Sequence, residues 1–225
     1  MSIVGMLKPF ASLLAYYHYK VDRLRLAERM RRGLKVGKNV YIMEHVEFDI
    51  NYPYLIEIGD NCRISKDVRI LAHDATTFRA LGVTRLAPVR ILHGTFIGER
   101  VVILPGVTIG PNALIAAGSV VNRDIGEDKA AAGNPARPYG SYSELLQKYT
   151  EVARSSNIFD KQEMEQGTVS VNRIREVLEK DSVAFIHGVP SSDPYYVNTD
   201  MDALRRDSDQ AFEKLIHSVS SQVSG

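Results

Sequence analysis

Residues 91–125 read ILHGTFIGERVVILPGVTIGPNALIAAGSVVNRDI. Within this stretch Ile91, Ile97, Ile103, Ile109, Ile115 and Val121 recur at every sixth position. Four residues after each stands a small or apolar side chain: Thr95, Val101, Val107, Ala113, Ser119 and Ile125. The same phase runs upstream through Val36, Ile42 and Phe48, then Ile58, Ile64 and Ile70, with Val40, Val46, Cys62 and Val68 as fourth-on partners.

A helix repeats its apolar face every 3.6 residues and a half-buried strand every two, so period six fits neither. It fits short strands joined by corners, three strands to a coil of about 18 residues. The branched residue and its small partner then point into a narrow prism. Gly98, Pro105-Gly106, Gly110-Pro111-Asn112 and Gly118 stand where the corners fall, and corners favour residues tolerant of unusual dihedrals. Stacked coils pair as parallel sheets, so burial and backbone bonding accumulate coil by coil. The expected fold is an all-β solenoid, a parallel β-helix.

At 225 residues and 44% apolar content the chain can bury a large core. A single cysteine excludes an intrachain disulfide framework and suits a reducing, cytoplasmic setting. Cys62 falls on an inward small position, where packing explains it better than catalysis. No apolar run approaches the roughly 18 residues of a membrane span, and the first residues lack a signal peptide's pattern. Between Met1 and Lys38 nine Lys or Arg face only Asp22 and Glu28, and Phe10, Leu13, Leu14, Tyr17, Val21, Leu24 and Met30 fall near helical spacing. Two readings fit residues 1–32: a helix packed on the prism or a neighbour, or a basic amphipathic helix on an anionic membrane surface. Nothing else supports nucleic-acid binding.

Three segments follow. Residues 1–32 read as a helix, 33–138 as the coils, and 139–225 as a mainly helical extension. The repeat breaks near Asn51-Tyr-Pro-Tyr and again over residues 76–90, which have no hexad phase; a break inside a rigid scaffold points to a functional loop. After Val121 the coils are expected to end, with Gly133-Asn134-Pro135 as an exit turn. In the extension, Ser143 to Ala153 and residues 170–180 suggest helices, Ser182-Val-Ala-Phe-Ile a short strand, and Thr199 with Asp202 a capping box before a last helix. Terminal helices would cap the open sheet edges of the column.

The pattern from Gly33 to Arg137 resembles the hexapeptide-repeat acyltransferases, which implies a left-handed coil, an exception to the right-handed crossover rule. ILPGVTIGPNALIAAGSVVNRDI followed by AAAGNPAR is similar to the cofactor half of the maltose and galactoside O-acetyltransferase group. GLKVGKNVYI, PYLIEIGDNCRIS and ILAHDA also look like acyltransferases of surface-polysaccharide gene sets. The resemblance implies a homotrimer holding acetyl-CoA between neighbouring copies, with no metal. Ala117 and Gly118 would then line the pantetheine arm. Asn122 and Arg123 stand where the group commonly has Thr and Lys, near the adenosine and phosphate end, and Gly133, Asn134 and Arg137 follow in the Asn-Pro-Ala turn. A guanidinium suits a phosphate because it donates in a fixed fork. His93-Gly-Thr-Phe-Ile-Gly departs from the group, with Phe96 in place of its usual Trp.

His73 stands directly before the phase-breaking loop, where the resemblance places a single general base. Moving an acetyl group from a thioester to a hydroxyl requires removal of the hydroxyl proton, and an imidazole titrates near the working pH. The oxyanion would need a donor, such as a backbone N–H on a facing coil. Asp74 could orient the ring, although neighbours on a strand point to opposite faces. His93, Asp49 and Asn51 are candidates for the acceptor side. The acceptor is expected to be a sugar or glycan hydroxyl. Transfer to the amine of a sugar nucleotide stays open, as does a zinc hydratase of the γ-carbonic-anhydrase type. His45, His73 and His93 lie 28 and 20 residues apart, however, without the close pair that the hydratases use.

Overall fold

The computed structural model of the chain describes residues 3–189 and 195–220, with side-chain surroundings for 16–189 and 195–215. Short strands wind round a three-sided column. Face A stacks Lys35–Val36, Ile56–Ile58, Val89–Ile91 and Thr108–Ile109. Face B stacks Val40–Ile42, Arg63–Ile64, Phe96–Ile97, Leu114–Ile115 and Lys129–Gly133. Face C stacks Glu47–Phe48, Arg69–Ile70, Val102–Ile103 and Val120–Val121. The chain visits A, B and C in turn, and these strands pair in parallel.

The six-residue rhythm is the packing of the interior. Ile64, Ile70, Ile91, Ile97, Ile103, Ile109, Ile115 and Val121 are wholly buried, stacked one above another on their three faces. Burying each such side chain contributes about 1.5–3 kcal/mol. The narrow corners take the small partners: Cys62, Val68, Val101, Ala113 and Ser119 are equally buried. Val36 and Val46, near one end, are only partly so. Ser119 can stand inside because its hydroxyl donates to Ala116 O at 2.7 Å and accepts from Gly133 N at 3.1 Å.

Register exposes two insertions. Ile97 pairs with Ile115 and Ile103 with Val121, both 18 residues on. Ile64 pairs with Ile97 and Ile70 with Ile103, 33 residues on, which is fifteen more than a regular coil. Ile42 pairs with Ile64 and Phe48 with Ile70, 22 residues on, four more than regular. Both insertions leave the column between face C and face A, on consecutive coils. The smaller forms a 3-10 turn, Pro53–Leu55. The larger, expected to be a loop, is a hairpin: His73–Asp74 pairs antiparallel with Arg85–Leu86 around a short helix.

Coil-to-coil spacing is tight at the corners. A Cβ added to Gly98 would lie 2.6 Å from Ala117 N and 2.8 Å from Ile115 O. Those are backbone atoms, which cannot swing aside. Gly98→Ala is therefore expected to cost about 3 kcal/mol, read as a drop of several degrees in thermal midpoint. An unchanged midpoint would mean the corner is looser than drawn.

Among the described residues six α-helices accompany the column: α1 (Ile3–Arg31), α2 (Phe78–Leu81), α3 (Tyr142–Ser155), α4 (Lys161–Glu165), α5 (Val171–Asp181) and α6 (Met201–Ser220). α1 lies against the column. Leu26 is buried, Met30 packs on the core, and Asp22 accepts from His45 N at 3.0 Å. The side chains of Phe10, Leu13 and Leu14 lie outside the described residues.

Several expectations need correction. The coils continue past Val121, because Ile125 bridges Ile109 and Lys129–Gly133 adds a further strand to face B. Gly133-Asn134-Pro135 does not lead away: the chain doubles back there, and Ala136–Ser141 pairs antiparallel with Lys129–Gly133. The extension also holds a parallel pair, Asn157–Asp160 with Ala184–His187, beside its helices. Strands rather than helices cover the ends of face B, since Tyr196–Val197 pairs antiparallel with Val40–Ile42 at the other edge. α6 is capped by Asp200, whose Oδ1 accepts from Asp202 N and Ala203 N, not by Thr199.

Candidate active site

Both insertions meet at one corner, and His73 stands between them. Asp49 follows Phe48 on the coil below and is almost fully buried, with 3% of its surface exposed. Its Oδ1 accepts from Asn51 N at 3.0 Å and Tyr52 N at 3.1 Å. Its Oδ2 accepts from Ala72 N at 2.9 Å and lies 2.5 Å from His73 Nδ1. Burial alone would raise this carboxyl. The bonds from His73 and from the Ala72, Tyr52 and Asn51 amides outweigh it and hold Asp49 below the ordinary carboxylate range. An ionised carboxylate can only accept. Nδ1 of His73 is therefore the donor, and in the neutral ring the lone pair is on Nε2. The Tyr52 ring meets the imidazole edge-on, with centroids 5.3 Å apart, and holds its plane.

The imidazole is 29% exposed and opens on a cleft of about 630 Å³. Face C supplies one wall through Glu47, Asp49, Arg69 and Leu71; α1 supplies the other through Asp22, Arg25, Leu26 and Arg29. Arg32, just past α1, donates to Ile50 O at 2.7 Å and Asn51 O at 3.1 Å, pinning the four-residue insertion. Sequence reasoning missed these contributions of α1. It also missed Asp49 as the partner of His73. Register is the signal that finds it: Phe48 pairs with Ile70, which puts Asp49 beside Leu71 and within reach of His73.

Asp74 turns away from the ring. It accepts from Thr76 N at 2.9 Å, and this bond chiefly lowers its carboxyl. Asn51 serves through its main chain, while its side chain is exposed. His93 is not brought to the cleft: it follows face A, at the corner leading to face B. His45 stands at the corner between B and C, so the three histidines occupy three corners of the column. Among the described residues no three His, Cys, Asp or Glu converge on a metal site.

The bacterial transferase hexapeptide family (six repeats) matches residues 88–123. The protein named "Putative acetyltransferase YvoF" of Bacillus subtilis (strain 168) is 32% identical over 120 residues, 53% of this chain and 67% of that one. The chain belongs to the hexapeptide-repeat acetyltransferases. Galactoside O-acetyltransferase of Escherichia coli (strain K12) is 36% identical over 108 residues, 47% of this chain and 52% of that one. The chain thus spans about half to two thirds of the length of these curated relatives. A hexapeptide-repeat acetyltransferase of Vibrio cholerae, solved complexed with acetyl coenzyme A, matches 53% of this chain and 77% of that one at 24% identity. Its TM-score of 0.41 is too low to place a ligand here.

In this hexapeptide-repeat acetyltransferase, the remaining candidates flank face C. Ala117 and Gly118 are exposed at its corner with face B, where Gly118 has φ +72. The exposed turn Gly133-Asn134 lies beyond them on face B. Asn122 and Arg123 stand at the corner with face A, two coils above His73 and so about 10 Å along the column. Arg137 Nη1 reaches Asn122 Oδ1 at 3.4 Å, joining the two groups across the end of face C.

Cys62 takes no part in this corner. Burial pushes its thiol up to about 11, and Sγ donates to Leu92 O at 3.1 Å. A thiol so placed is inert at neutral pH. The native chain should resist thiol labelling, and Cys62→Ala should keep its transfer rate. A tenfold loss in that variant would bring the cysteine into the chemistry.

Proposed function

We propose that the protein transfers an acetyl group from acetyl-CoA to a hydroxyl of a sugar or surface-polysaccharide precursor. The single observation that carries this reading is the buried carboxylate of Asp49 held against Nδ1 of His73, whose ring lines an open cleft. Acetyl-CoA would supply the acetyl group, its C–S bond breaking so that CoA leaves as the free thiol. The rest falls to the chain's own residues. Nε2 of His73 takes the acceptor's hydroxyl proton as the oxygen attacks, and returns it to the departing sulfur. Asp49 stabilises the imidazolium formed between the two steps. No acyl-enzyme is needed, in keeping with a single, buried cysteine.

On this reading the column is left-handed and the working unit a trimer. The His73 cleft and the Ala117–Gly118 edge lie on opposite margins of face C. A neighbouring copy set against that face would enclose the thioester between them. Asn122, Arg123 and Arg137, at the far end, would meet the adenosine and phosphates. The hydroxyl is preferred to an amine as acceptor, because a neutral amine attacks a thioester without an oriented base.

A thiol-release assay with acetyl-CoA against sugars, sugar nucleotides and lipid-linked glycans tests the proposal. Release should require one acceptor class, and the acetyl group should come off the product with hydroxylamine, as an ester does. An acetylated product stable to hydroxylamine would make this an N-acetyltransferase. No release with any acceptor would reject the reading.

A further inference from the structure

The two sides of α1 have opposite chemistry. The inner side is committed to the column through Asp22, Leu26 and Met30. The outer side carries Tyr16, Tyr17, Lys20, Leu24, Ala27 and Arg31, all exposed and spaced by threes and fours along one strip. Tyr17 is 63% and Leu24 70% exposed. Lys20 Nζ lies 5.3 Å from the Tyr16 ring centre, an ammonium resting on an aromatic body.

Charge is sorted in the same way. Asp22 and Glu28 are the only acids among the first 38 residues, against nine Lys or Arg. Asp22 is held by His45 N, and Glu28 pairs with Arg29 and Arg32. Asp22 faces the column, whereas Glu28 borders the outer strip, four residues after Leu24 and three before Arg31, its charge met by Arg29 and Arg32. Upstream, from Ile3 to Tyr17, Lys8 is the one charged residue, and the helix is continuous through it. Among the described residues no helix is long and apolar enough to cross a membrane. Tyrosines and a leucine flanked by cations, on a helix not apolar enough to span, suit the plane of a bilayer surface.

We infer that the outer strip of α1 docks the protein on an anionic lipid surface. The helix lies in the interfacial plane, tyrosines and Leu24 at headgroup depth, with Lys20 and Arg31 over the lipid phosphates. The cleft of His73, on the inner side of the same helix, then stands next to the membrane. The docking does not depend on the transfer reaction.

Flotation of the full chain with vesicles tests this. The protein should rise with phosphatidylcholine vesicles carrying about 30% phosphatidylglycerol, and far less with pure phosphatidylcholine. High salt should release it, since surface charges are screened. Lys20→Glu with Arg31→Glu should weaken flotation by tenfold or more, because each basic residue at the surface contributes about fivefold. Tyr17→Ser with Leu24→Ser should weaken it as well. An unchanged thermal midpoint certifies the fold of each variant. Equal flotation on neutral and anionic vesicles would overturn the proposal, as would undiminished binding of the charge-reversed variant. So would a chain that stays at the bottom of the gradient while the strip variants lower its mass in light scattering, which would make the strip a contact between copies.

Discussion

His73→Ala is expected to lower turnover by roughly 10²–10⁴ while the column folds as before. The ring supplies no core packing: it stands 29% exposed at a corner, outside the buried ladder of Ile64, Ile70 and Ile103. Thermal midpoint should therefore change little. What disappears is the imidazole that Asp49 holds at the cleft between face C and α1. KM for acetyl-CoA should stay near its parental value, because the proposed nucleotide contacts lie about 10 Å along the column. His73→Gln, which keeps bulk and polarity without a titrating nitrogen, should be equally slow. Parental activity in either variant would remove His73 from the mechanism, whatever the activity of the native chain.

Asp49→Asn should damage both rate and stability, and for separable reasons. The carboxylate accepts from three backbone amides and one imidazole. An amide offers one oxygen in place of two. If that oxygen faces Asn51 and Tyr52, the NH₂ group confronts Ala72 N and His73 Nδ1, and donor meets donor. If it is flipped, the amides of the insertion lose their acceptor. Either way buried donors are left unpaired, which costs about 1–3 kcal/mol. The imidazole also loses what sets its tautomer, so kcat should fall by on the order of 10²–10⁴ with little change in KM. The acid dependence has a definite sign. Asp49 lies below its ordinary range when folded, so its contribution is present above the unfolded carboxyl value of about 3.9 and lost as pH falls through the folded one. The native chain should lose stability over that acid window, and Asp49→Asn should not show that loss. Identical acid profiles for the two proteins would mean that Asp49 is not the ionised hub drawn here.

The corner also shows how insertions build a cleft on a regular column. A regular coil turns from face C to face A through Leu104-Pro105-Gly106, too short to shelter a side chain. Four extra residues at Asn51–Tyr54 and fifteen in the hairpin after His73 build walls around that turn without moving the register above or below. Gly106 keeps the space open, since a Cβ there would lie 3.1 Å from Arg85 Nη2 of the hairpin.

What could be read from the chain before any fold was known is whatever obeys a short period. Ile91 to Val121 specify the column because each inward residue meets its equivalent one coil away, so local spacing and long-range packing carry the same information. The position proposed for the base, His73, stood out for a related reason: it borders the point where the period fails. Asp49 beneath it, the removal of His93 to another corner and the wall supplied by α1 were not legible. Each depends on how many residues an insertion adds to its coil, or on which face a helix presents. Those are distances between parts of the chain far apart in order, and they exist only once the coils are stacked.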